Sequence, residues 1–313
     1  MLPLARATRS WVESGLAADE RIEAVEALRG GWTSDMRRLR VSGPGGSSWL
    51  VLRTFSKPFF RKHADGLLSR EAEVLRLLAD TDVTAAELRA VDPTGRDCEH
   101  PSLLMTMLPG SLRLDDEGVL ERSELLAEML VRIHRVPVDG HTRPRSYQAW
   151  TSPERVQIPE STPRPELWRR AVDLIRGDPP TFRGCFLHRD FHPGNVLWDG
   201  PAEGPRISGV VDWVETSWGP ADLDVAHCST ALALLHGAET GMRFADQYVA
   251  AGGALTDDAS AHLYWRLLDA LAFAPDAGKV AGPWREMGRT DLTPAVVSHR
   301  LEDYVQELVE GYG

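Results

Sequence analysis

The feature that most constrains the fold of this chain is a polar run, His188–Asn195, that stands between two apolar segments of strand-like composition. Residues 185–187 precede the run and residues 196–198 follow it, so the polar side chains are predicted to lie on a loop held by two buried strands. A further apolar segment, 207–211, ends at Asp212. We therefore expect the Asp212 carboxylate at a strand end beside the same loop. An ordinary polar turn is the alternative, because Asp, Asn and Pro-Gly pairs are also typical of turns.

The residue types in this pattern suit phosphoryl transfer. The Asp190 carboxylate can accept the proton of an incoming hydroxyl group, and Asn195 and Asp212 can hold the Mg²⁺ ions that bridge and neutralise nucleotide phosphates. Such a reaction depends mostly on positioning and charge neutralisation, so it also requires a cation and backbone amides near the phosphates.

Candidates for the cation and for the backbone amides lie in the first third of the chain. Arg53 ends the strand-like run Leu-Val-Leu-Arg, where a phosphate-gripping cation is expected, and Glu71 on the next predicted helix can pair with it. Gly31 and Ser34 offer a backbone amide and a hydroxyl group to phosphate oxygens. An exposed strand arginine, a solvated glutamate and a helix-ending glycine pair are the alternatives.

The length of 313 residues and the 42% hydrophobic content are enough for two lobes with buried cores. We predict an N-terminal nucleotide-binding lobe at 1–105, a hinge at 106–110 and a C-terminal catalytic and substrate-binding lobe at 111–313. The hinge contains Pro109-Gly110, which breaks the preceding pattern. Cys98, Cys185 and Cys228 lack C-x-x-C spacing, so neither a disulfide framework nor a structural zinc site is indicated.

The charge is unevenly distributed. The net charge is −11, and of the 46 acidic and 35 basic residues 15 of each kind lie in residues 1–110, so all of the excess lies in the rest of the chain. An acidic field disfavours nucleic acid as a partner and favours a cationic small molecule, although it also serves solubility. The sequence shows no signal peptide and no apolar segment long enough for a bilayer, so we expect a cytoplasmic protein without a membrane partner.

Local patterns predict a small α+β lobe followed by a mainly helical one. The predicted strands cover residues 36–41, 49–55, 87–91 and 103–107, and the predicted helices cover 19–29, 67–79, a segment ending near His134, 166–176, 224–236, 259–273 and 295–310. In the first predicted helix Ile22, Val25 and Leu28 share one face, and Gly30-Gly31 would end it. Six prolines within 137–165 predict a loop-rich connection.

Three motifs carry a resemblance to a known family. His-x-Asp-x-His-Pro-x-Asn at 188–195, Val-Asp-Trp at 211–213 and Trp-Gly-Pro-Ala-Asp-Leu-Asp-Val-Ala at 218–226 closely resemble those of the aminoglycoside phosphotransferase and choline kinase superfamily. The resemblance covers nearly the whole chain, with looser matches at 52–53 and 70–72. It implies a two-lobed, protein-kinase-like α+β fold, ATP or GTP and Mg²⁺ as cofactors, and a small-molecule hydroxyl acceptor such as an amine-bearing antibiotic or metabolite.

The resemblance also assigns roles to single residues. It implies that Asp190 is the catalytic base, that Asn195 and Asp212 bind magnesium, and that His188 braces the loop. Asp224 resembles a buried carboxylate that tethers the backbone of the catalytic loop.

Residues 102–110 resemble the hinge of that family. There Thr106 and Leu108 would offer backbone hydrogen bonds to adenine, and Met105 would line the pocket. The chain departs from the family pattern at Arg53, where many members have lysine, and it lacks a full G-x-G-x-x-G loop.

Other functions stay open at this stage. A protein kinase is disfavoured because only eleven residues separate Asp212 from Asp224, too few for a long activation loop. A nucleotide-binding pseudokinase or regulatory module would bind without turnover. A metallohydrolase would use imidazole and carboxylate ligands, which would be His188, Asp190, His192 and Asp212.

Several acidic side chains could hold an amine-bearing acceptor, or could be solvated or salt-bridged surface groups. They are Glu215, Asp222, Asp269 and Asp276. His227 and His236 are expected to be ordinary helix positions.

Overall fold

The structure is a computed structural model that describes residues 3–28, 34–201 and 204–312. The chain divides into two compact units, Met1–Pro109 with Gly209–Glu215, and Gly110–Ser208 with Thr216–Gly313. The chain therefore returns to the first unit for one short segment, and Asp212 lies in that segment. The functional lobes at 1–105, 106–110 and 111–313 stay a prediction.

A five-stranded antiparallel sheet with the strand order β1–β2–β3–β5–β4 forms the base of the first unit. Its elements are α1 (Arg6–Ser14), β1 (Arg21–Ala27), β2 (Asp35–Gly43), β3 (Gly46–Thr54), α2 (Pro58–Arg61), α3 (Ala64–Leu78), β4 (Leu88–Asp92) and β5 (Ser102–Thr106). The predicted hairpin is present, because Gly43 pairs with Gly46 across the turn Pro44-Gly45.

The predicted helix at 19–29 is wrong, because this segment forms strand β1. Ile22 and Val25 are three residues apart, which fits one face of a helix. In the sheet, however, they pair with Val41 and Leu39, which are only two residues apart, because a bulge follows Ile22. The bulge adds one residue to β1, so a helix-like spacing places both apolar side chains on one face of a strand. The predicted stop at Gly30-Gly31 lies outside the described residues.

The core of the first unit joins one face of the sheet to α1. Val12 of α1 packs in one cluster with strand residues that include Val25, Leu39, Leu52 and Leu104. Burial of each such side chain contributes about 1.5–3 kcal/mol. Helix α3 has the predicted apolar stripe, and its buried members include Leu68, Ala72, Leu75 and Leu78.

Helices dominate the second unit, as predicted. They are α4 (Val119–His134), α5 (Pro165–Leu174), α6 (Ala221–His236), α7 (Ala238–Ala250), α8 (Ala259–Ala270), α9 (Ala281–Glu286) and α10 (Pro294–Gly311). Its short strands are β6 (Gly184–Leu187), β7 (Val196–Asp199), β8 (Arg206–Val210) and β9 (Ser217–Pro220). β6 pairs with β9 and β7 with β8, and the last two residues of β8 already belong to the first unit.

Helix α6 lies at the centre of this unit. Each of its residues from Ala221 to Leu235 is buried. A helix that is buried on all sides needs partners on all sides, and the surrounding cluster includes Trp265 of α8 and Tyr304 of α10. Polar groups on α6 are therefore held in fixed surroundings.

The chain enters the second unit through a glycine that no other residue can replace without strain. Gly110 has a φ of +95°, and a Cβ atom there would lie 2.3 Å from Ser208 Oγ and 2.5 Å from the Trp198 carbonyl oxygen. Beyond α4, residues 137–164 form the predicted loop-rich connection, whose one bridge joins Ser146 to Trp218.

Cys98, Cys185 and Cys228 are free thiols in the structure. Among the helices of the described residues, none is both long enough and apolar enough to cross a bilayer.

Candidate active site

The polar run of the second unit lies on a loop between two buried strand segments. Strand β6 ends at Leu187, a short 3-10 turn covers Pro193–Asn195, and β7 follows at once. Phe186, Leu187 and Val196 are almost fully buried. The prediction that buried strands hold this loop is confirmed.

Asp224 fastens the start of this loop from the first turn of α6. Its Oδ2 accepts a hydrogen bond from the His188 amide at 2.8 Å, and its Oδ1 accepts one from the Arg189 amide at 2.9 Å. Burial alone would raise the pKa of this carboxyl group, but the hydrogen bond and charge of His134 hold it below its usual value. The His134 ring also contacts the hydroxyl group of Tyr248 at 2.7 Å. The tether expected of Asp224 is therefore present.

Two strained backbone positions lie at or beside candidate residues. Arg189, with a φ of +72°, and Asp212, with a φ of +67°, are the non-glycine residues with positive φ in the part of the chain that the structure describes. Each such position costs of the order of 1–3 kcal/mol and persists only where its surroundings enforce it. On the loop, the His188 ring helps to hold the backbone in this conformation, because its Nδ1 accepts a hydrogen bond from the Asp190 amide at 3.2 Å.

Asp190 presents a fixed but accessible carboxylate. Its Oδ2 accepts a hydrogen bond from Asn195 Nδ2 at 3.1 Å, and its Oδ1 lies 3.1 Å from His227 Nε2. Burial would raise the pKa of Asp190, but the hydrogen bond from His227 and the neighbouring imidazoles, first His192, lower it well below its ordinary value. The side chain is still 31% exposed, so an ionised oxygen can meet a molecule from solvent.

The prediction that His227 is an ordinary helix position is wrong. Its Nε2 contacts Asp190, its Nδ1 lies 3.1 Å from Asp269 Oδ1, and its side chain is only 6% exposed. A sequence signal existed, because His227 follows Asp224 by three residues and i, i+3 residues share a helix face. His236 contacts Asp116 at 2.6 Å at the end of α6.

The 3-10 turn after the loop requires a glycine. The Gly194 amide donates a hydrogen bond to His192 Nδ1 at 3.0 Å. A Cβ atom at Gly194 would lie 2.6 Å from the His192 ring. The ring and the turn can approach each other this closely only because Gly194 has no side chain.

A second group of candidate residues lies in the first unit. Arg53 of β3 donates from Nη1 to Glu71 Oε2 of α3 at 2.7 Å and from Nη2 to Asp212 Oδ1 at 2.9 Å. The predicted contact between Arg53 and Glu71 is therefore present, and the contact with Asp212 was not foreseen. Burial would lower the pKa of Arg53, but the charges of Asp212 and Glu71 raise it above its ordinary value. Arg53 Nε is buried and has no hydrogen-bond partner among the described residues.

The remaining nucleotide-site candidates are placed as follows. Gly31 lies outside the described residues, and Ser34 is buried, with its hydroxyl group 3.6 Å from Met36 Sδ. Met105 lies in β5, and the Thr106 amide already donates to the Glu87 carbonyl oxygen at 2.9 Å. The Thr106 amide is therefore not available to a base, and a backbone donor would have to come from Leu108.

The structure separates the acidic acceptor candidates into two kinds. Asp222 is buried and lies 2.8 Å from His262 Nδ1, and Asp269 is buried against His227. Burial contradicts the alternative that these two are solvated surface groups, and each contacts an imidazole, while a role toward an amine stays a prediction. Asp276 is exposed, and Glu215 is partly buried in the 3-10 turn Trp213–Glu215.

The metal-ligand pattern differs from the one a metallohydrolase would require. Within the described part of the chain, one group of three side chains has its ligating atoms within 4.8 Å of one another. It consists of Asp190, His192 and His227. His188 is not in this group. For magnesium, Asn195 is suitably oriented, because its Nδ2 donates to the Asp190 carbonyl oxygen and to Asp190 Oδ2, which leaves the amide oxygen as a ligand.

Comparison with known proteins gives a family. Residues 24–264 match the model of the phosphotransferase enzyme family. The chain is 29% identical over 189 residues to viomycin phosphotransferase from Streptomyces vinaceus, a match that covers 53% of this chain and 63% of that protein. The match thus spans less than two thirds of the relative's length.

Solved structures with the same fold cover almost the whole chain. A candidate aminoglycoside phosphotransferase from Ralstonia eutropha JMP134 has a TM-score of 0.64 and 18% identity, with 97% of this chain and 98% of that chain covered. An aminoglycoside phosphotransferase in ternary complex with ADP and hygromycin B has a TM-score of 0.60 and 16% identity, with 96% and 98% covered. Identities this low establish the two-lobed kinase-like α+β fold and nothing finer.

Proposed function

The chain belongs to the phosphotransferase enzyme family, and from this premise we propose that it transfers the γ-phosphoryl group of ATP or GTP to a hydroxyl group of a small molecule. The observation that carries the proposal is the state of Asp190. Its carboxylate is accessible and ionised, and its two oxygens are fixed by Asn195 and His227. A positioned acceptor for a hydroxyl proton is what this reaction requires of a protein side chain.

Asp190 acts as the base of the proposed reaction. The hydroxyl proton of the acceptor passes to the Asp190 carboxylate while the acceptor oxygen forms its bond to the γ-phosphorus and the bond to the leaving diphosphate oxygen breaks. The low pKa makes Asp190 a weak base. In a loose transition state the proton leaves late, so orientation of the hydroxyl group contributes more than base strength.

Asn195 and Asp212 are the residues that would hold magnesium. An amide oxygen and a carboxylate oxygen are ligand types that suit a hard divalent cation. The metal, when bound, supplies positive charge that neutralises the phosphate oxygens. The chain itself fixes the ligands, because Asn195 is held by Asp190 and one oxygen of Asp212 is held by Arg53.

We assign nucleotide binding to the first unit. Arg53 supplies the cation and Glu71 holds it in place, with the buried Arg53 Nε still able to donate. The Thr106 carbonyl oxygen and the Leu108 amide would meet the base. The related structure that contains ADP supports a nucleotide as phosphoryl donor.

The acceptor is proposed to be a cationic small molecule, such as an amine-bearing antibiotic. Viomycin phosphotransferase and the hygromycin B complex are the similar proteins that support this class. The acidic excess of residues 111–313 supports it as well. Of the acidic candidates, Asp276 and Glu215 are the less buried ones, and Asp222 and Asp269 each already contact an imidazole.

An acceptor screen tests the proposed function. Purified protein with ATP or GTP and magnesium is incubated with viomycin, hygromycin B, kanamycin, a macrolide, a nucleoside and an amino alcohol. We expect one class to gain a phosphate, detected by mass spectrometry and assigned to a hydroxyl group by phosphorus NMR. Nucleotide binding without any phosphorylated product would instead favour a pseudokinase, and tightly held stoichiometric zinc would favour a hydrolase.

A further inference from the structure

A buried chain of three side chains in the second unit connects α8, α6 and the polar loop. It consists of Asp269, His227 and Asp190. His227 Nδ1 lies 3.1 Å from Asp269 Oδ1, and His227 Nε2 lies 3.1 Å from Asp190 Oδ1. The side chains of Asp269 and His227 are 1% and 6% exposed, whereas that of Asp190 is 31% exposed. The chain thus runs from the interior to the accessible carboxylate.

The geometry fixes the protonation of His227. A carboxylate only accepts hydrogen bonds, and a neutral imidazole has only one N–H group. Because both ring nitrogens face carboxylate oxygens, His227 satisfies both contacts only as an imidazolium. In agreement with this, the pKa of His227 rises to about 10, because the charge of Asp269 and the hydrogen bonds to both carboxylates outweigh burial, which lowers it.

The surroundings of the ring hold its plane. The Phe273 ring stacks on His227 at a centroid distance of 6.2 Å and an angle of 21°, and the Trp150 ring meets it at 4.8 Å and 86°. The guanidinium group of Arg189 lies over the Trp150 ring in turn, at 4.2 Å. These contacts restrict rotation of the ring, so its Nε2–H points to Asp190 Oδ1.

Asp269 has no evident role apart from His227. Its Oδ2 is buried and has no hydrogen-bond partner in residues 3–28, 34–201 and 204–312. A buried carboxylate with an unsatisfied oxygen is costly and calls for an explanation. The contact of Asp269 Oδ1 with His227 offsets part of the cost of burying this carboxylate.

We propose that His227 and Asp269 are positioning residues, which hold the Asp190 carboxylate in the orientation that receives the acceptor hydroxyl group. This inference rests on the proposed function. His227 fixes Oδ1 and Asn195 fixes Oδ2, so two of about four lone-pair positions of the carboxylate are taken. The side chain of Asp190 is 31% exposed, so the carboxylate stays open to an acceptor. His227 transfers no proton, since the proton from the acceptor goes to Asp190 and then to solvent.

The same atoms could be read as a metal site, because Asp190, His192 and His227 lie within 4.8 Å. Two observations favour hydrogen bonds instead. The Gly194 amide donates to His192 Nδ1, so a neutral His192 carries its proton on Nε2, the atom nearest to Asp190. Both nitrogens of His227 are engaged with carboxylates, so metal binding would require its deprotonation.

Imidazole NMR on protein labelled with nitrogen isotope at histidine tests the arrangement without any acceptor. The titratable groups that contact His227 are Asp190 and His192 from the loop and Asp269 from α8. The His227 signal is assigned by its loss in His227→Gln. We expect both nitrogens to be protonated up to about pH 9, and Asp269→Asn to move this titration toward the ordinary His value of about 6.5. A neutral ring at about pH 7 in the wild type would overturn the proposal.

Kinetics test the positioning role with the acceptor found in the screen. His227→Leu should lower kcat about 10- to 100-fold, the size typical of outer partners that orient a ligating group, and should leave the KM for ATP within about twofold. His227→Gln keeps an N–H donor and should recover part of the loss. His236→Gln, at the far end of the same helix, is the matched control and should keep the wild-type kcat.

The outcomes separate the two proposals. A folded His227→Leu protein with the wild-type kcat, or a loss that appears only in the KM for ATP, contradicts positioning. If the wild-type protein phosphorylates no acceptor but its His227 ring is doubly protonated, the arrangement stands and the proposed function fails.

Discussion

The Asp190 loop of the second unit and the Arg53 cluster of the first unit hold their carboxylates in opposite ways. Asp190 is held by side-chain hydrogen bonds on a loop that Asp224 fastens through backbone amides. Asp212 is held by an ion pair to Arg53, a residue 159 positions away in the chain. The first arrangement leaves a base oriented and exposed, and the second keeps a cation charged and immobile. The proposed reaction therefore uses two carboxylates that are held by different interactions, one by hydrogen bonds and one by an ion pair.

The largest effect is expected at the centre of the loop. Asp190→Asn keeps the shape and the hydrogen bond from Asn195 but cannot take up a proton. We expect kcat to fall by about 10²- to 10⁴-fold, the range for removal of a general base, while nucleotide affinity stays within about twofold. Steady-state kinetics and calorimetric titration with ATP measure the two quantities. A normal kcat would end the assignment of Asp190 as base.

The tether is expected to matter for stability as well as rate. Asp224→Ala leaves the amides of His188 and Arg189 buried without their acceptor, at about 1–3 kcal/mol for each unsatisfied group. We therefore expect the free energy of unfolding, measured in urea, to fall by about 2–5 kcal/mol. Glu73→Ala, on the exposed side of α3, is the control. An equal loss in both variants would contradict the role of the tether.

Substitution in the ion-pair cluster of Arg53, Glu71 and Asp212 should affect nucleotide binding more than stability. Arg53→Lys keeps the charge but cannot contact Glu71 and Asp212 at once, because lysine lacks the planar fork. We expect the KM for ATP to rise about tenfold and unfolding to change little in comparison with Asp224→Ala. Arg38→Lys, which alters a half-exposed pair with Glu26 on the same sheet, should change neither. A fall in kcat alone would place Arg53 outside nucleotide binding.

A dependence of the unfolding free energy on pH gives a further test. The pKa of His227 is raised from 6.5 to about 10, so its proton binds more tightly in the folded state. This contribution to stability is complete below pH 6.5 and is lost as the pH rises toward 10. The difference in unfolding free energy between the wild type and His227→Gln should therefore shrink over this range. A difference that stays constant with pH would show that His227 does not carry the proton.

The sequence predicted those parts of the fold and site whose signals are local. The apolar stripe of α3 and the loop between β6 and β7 follow from spacing within one segment, as does the family resemblance of residues 188–226. Strand β1 was assigned wrongly because a bulge gave it the spacing of a helix. Helix α7 was missed although Gly241, Phe244, Ala245 and Tyr248 have helical spacing.

The partners of Asp190 could not be read from sequence as easily. His227 and Asp269 are 42 residues apart and lie on different helices. Their contact depends on how α6 and α8 pack, which no local pattern encodes. Only the i, i+3 spacing of Asp224 and His227 pointed toward the loop, and only once Asp224 was known to face it.

The central claim is that the Asp190 loop and the Arg53–Asp212 cluster serve one chemical step. The most direct test is kcat for the wild type, Asp190→Asn, Asp212→Asn and the double variant with the same acceptor and ATP. Residues that act in one step are strongly non-additive, so we expect the double variant to lie within about tenfold of the slower single variant. Losses that multiply in the double variant, or an Asp212→Asn protein with the wild-type kcat, would contradict the claim.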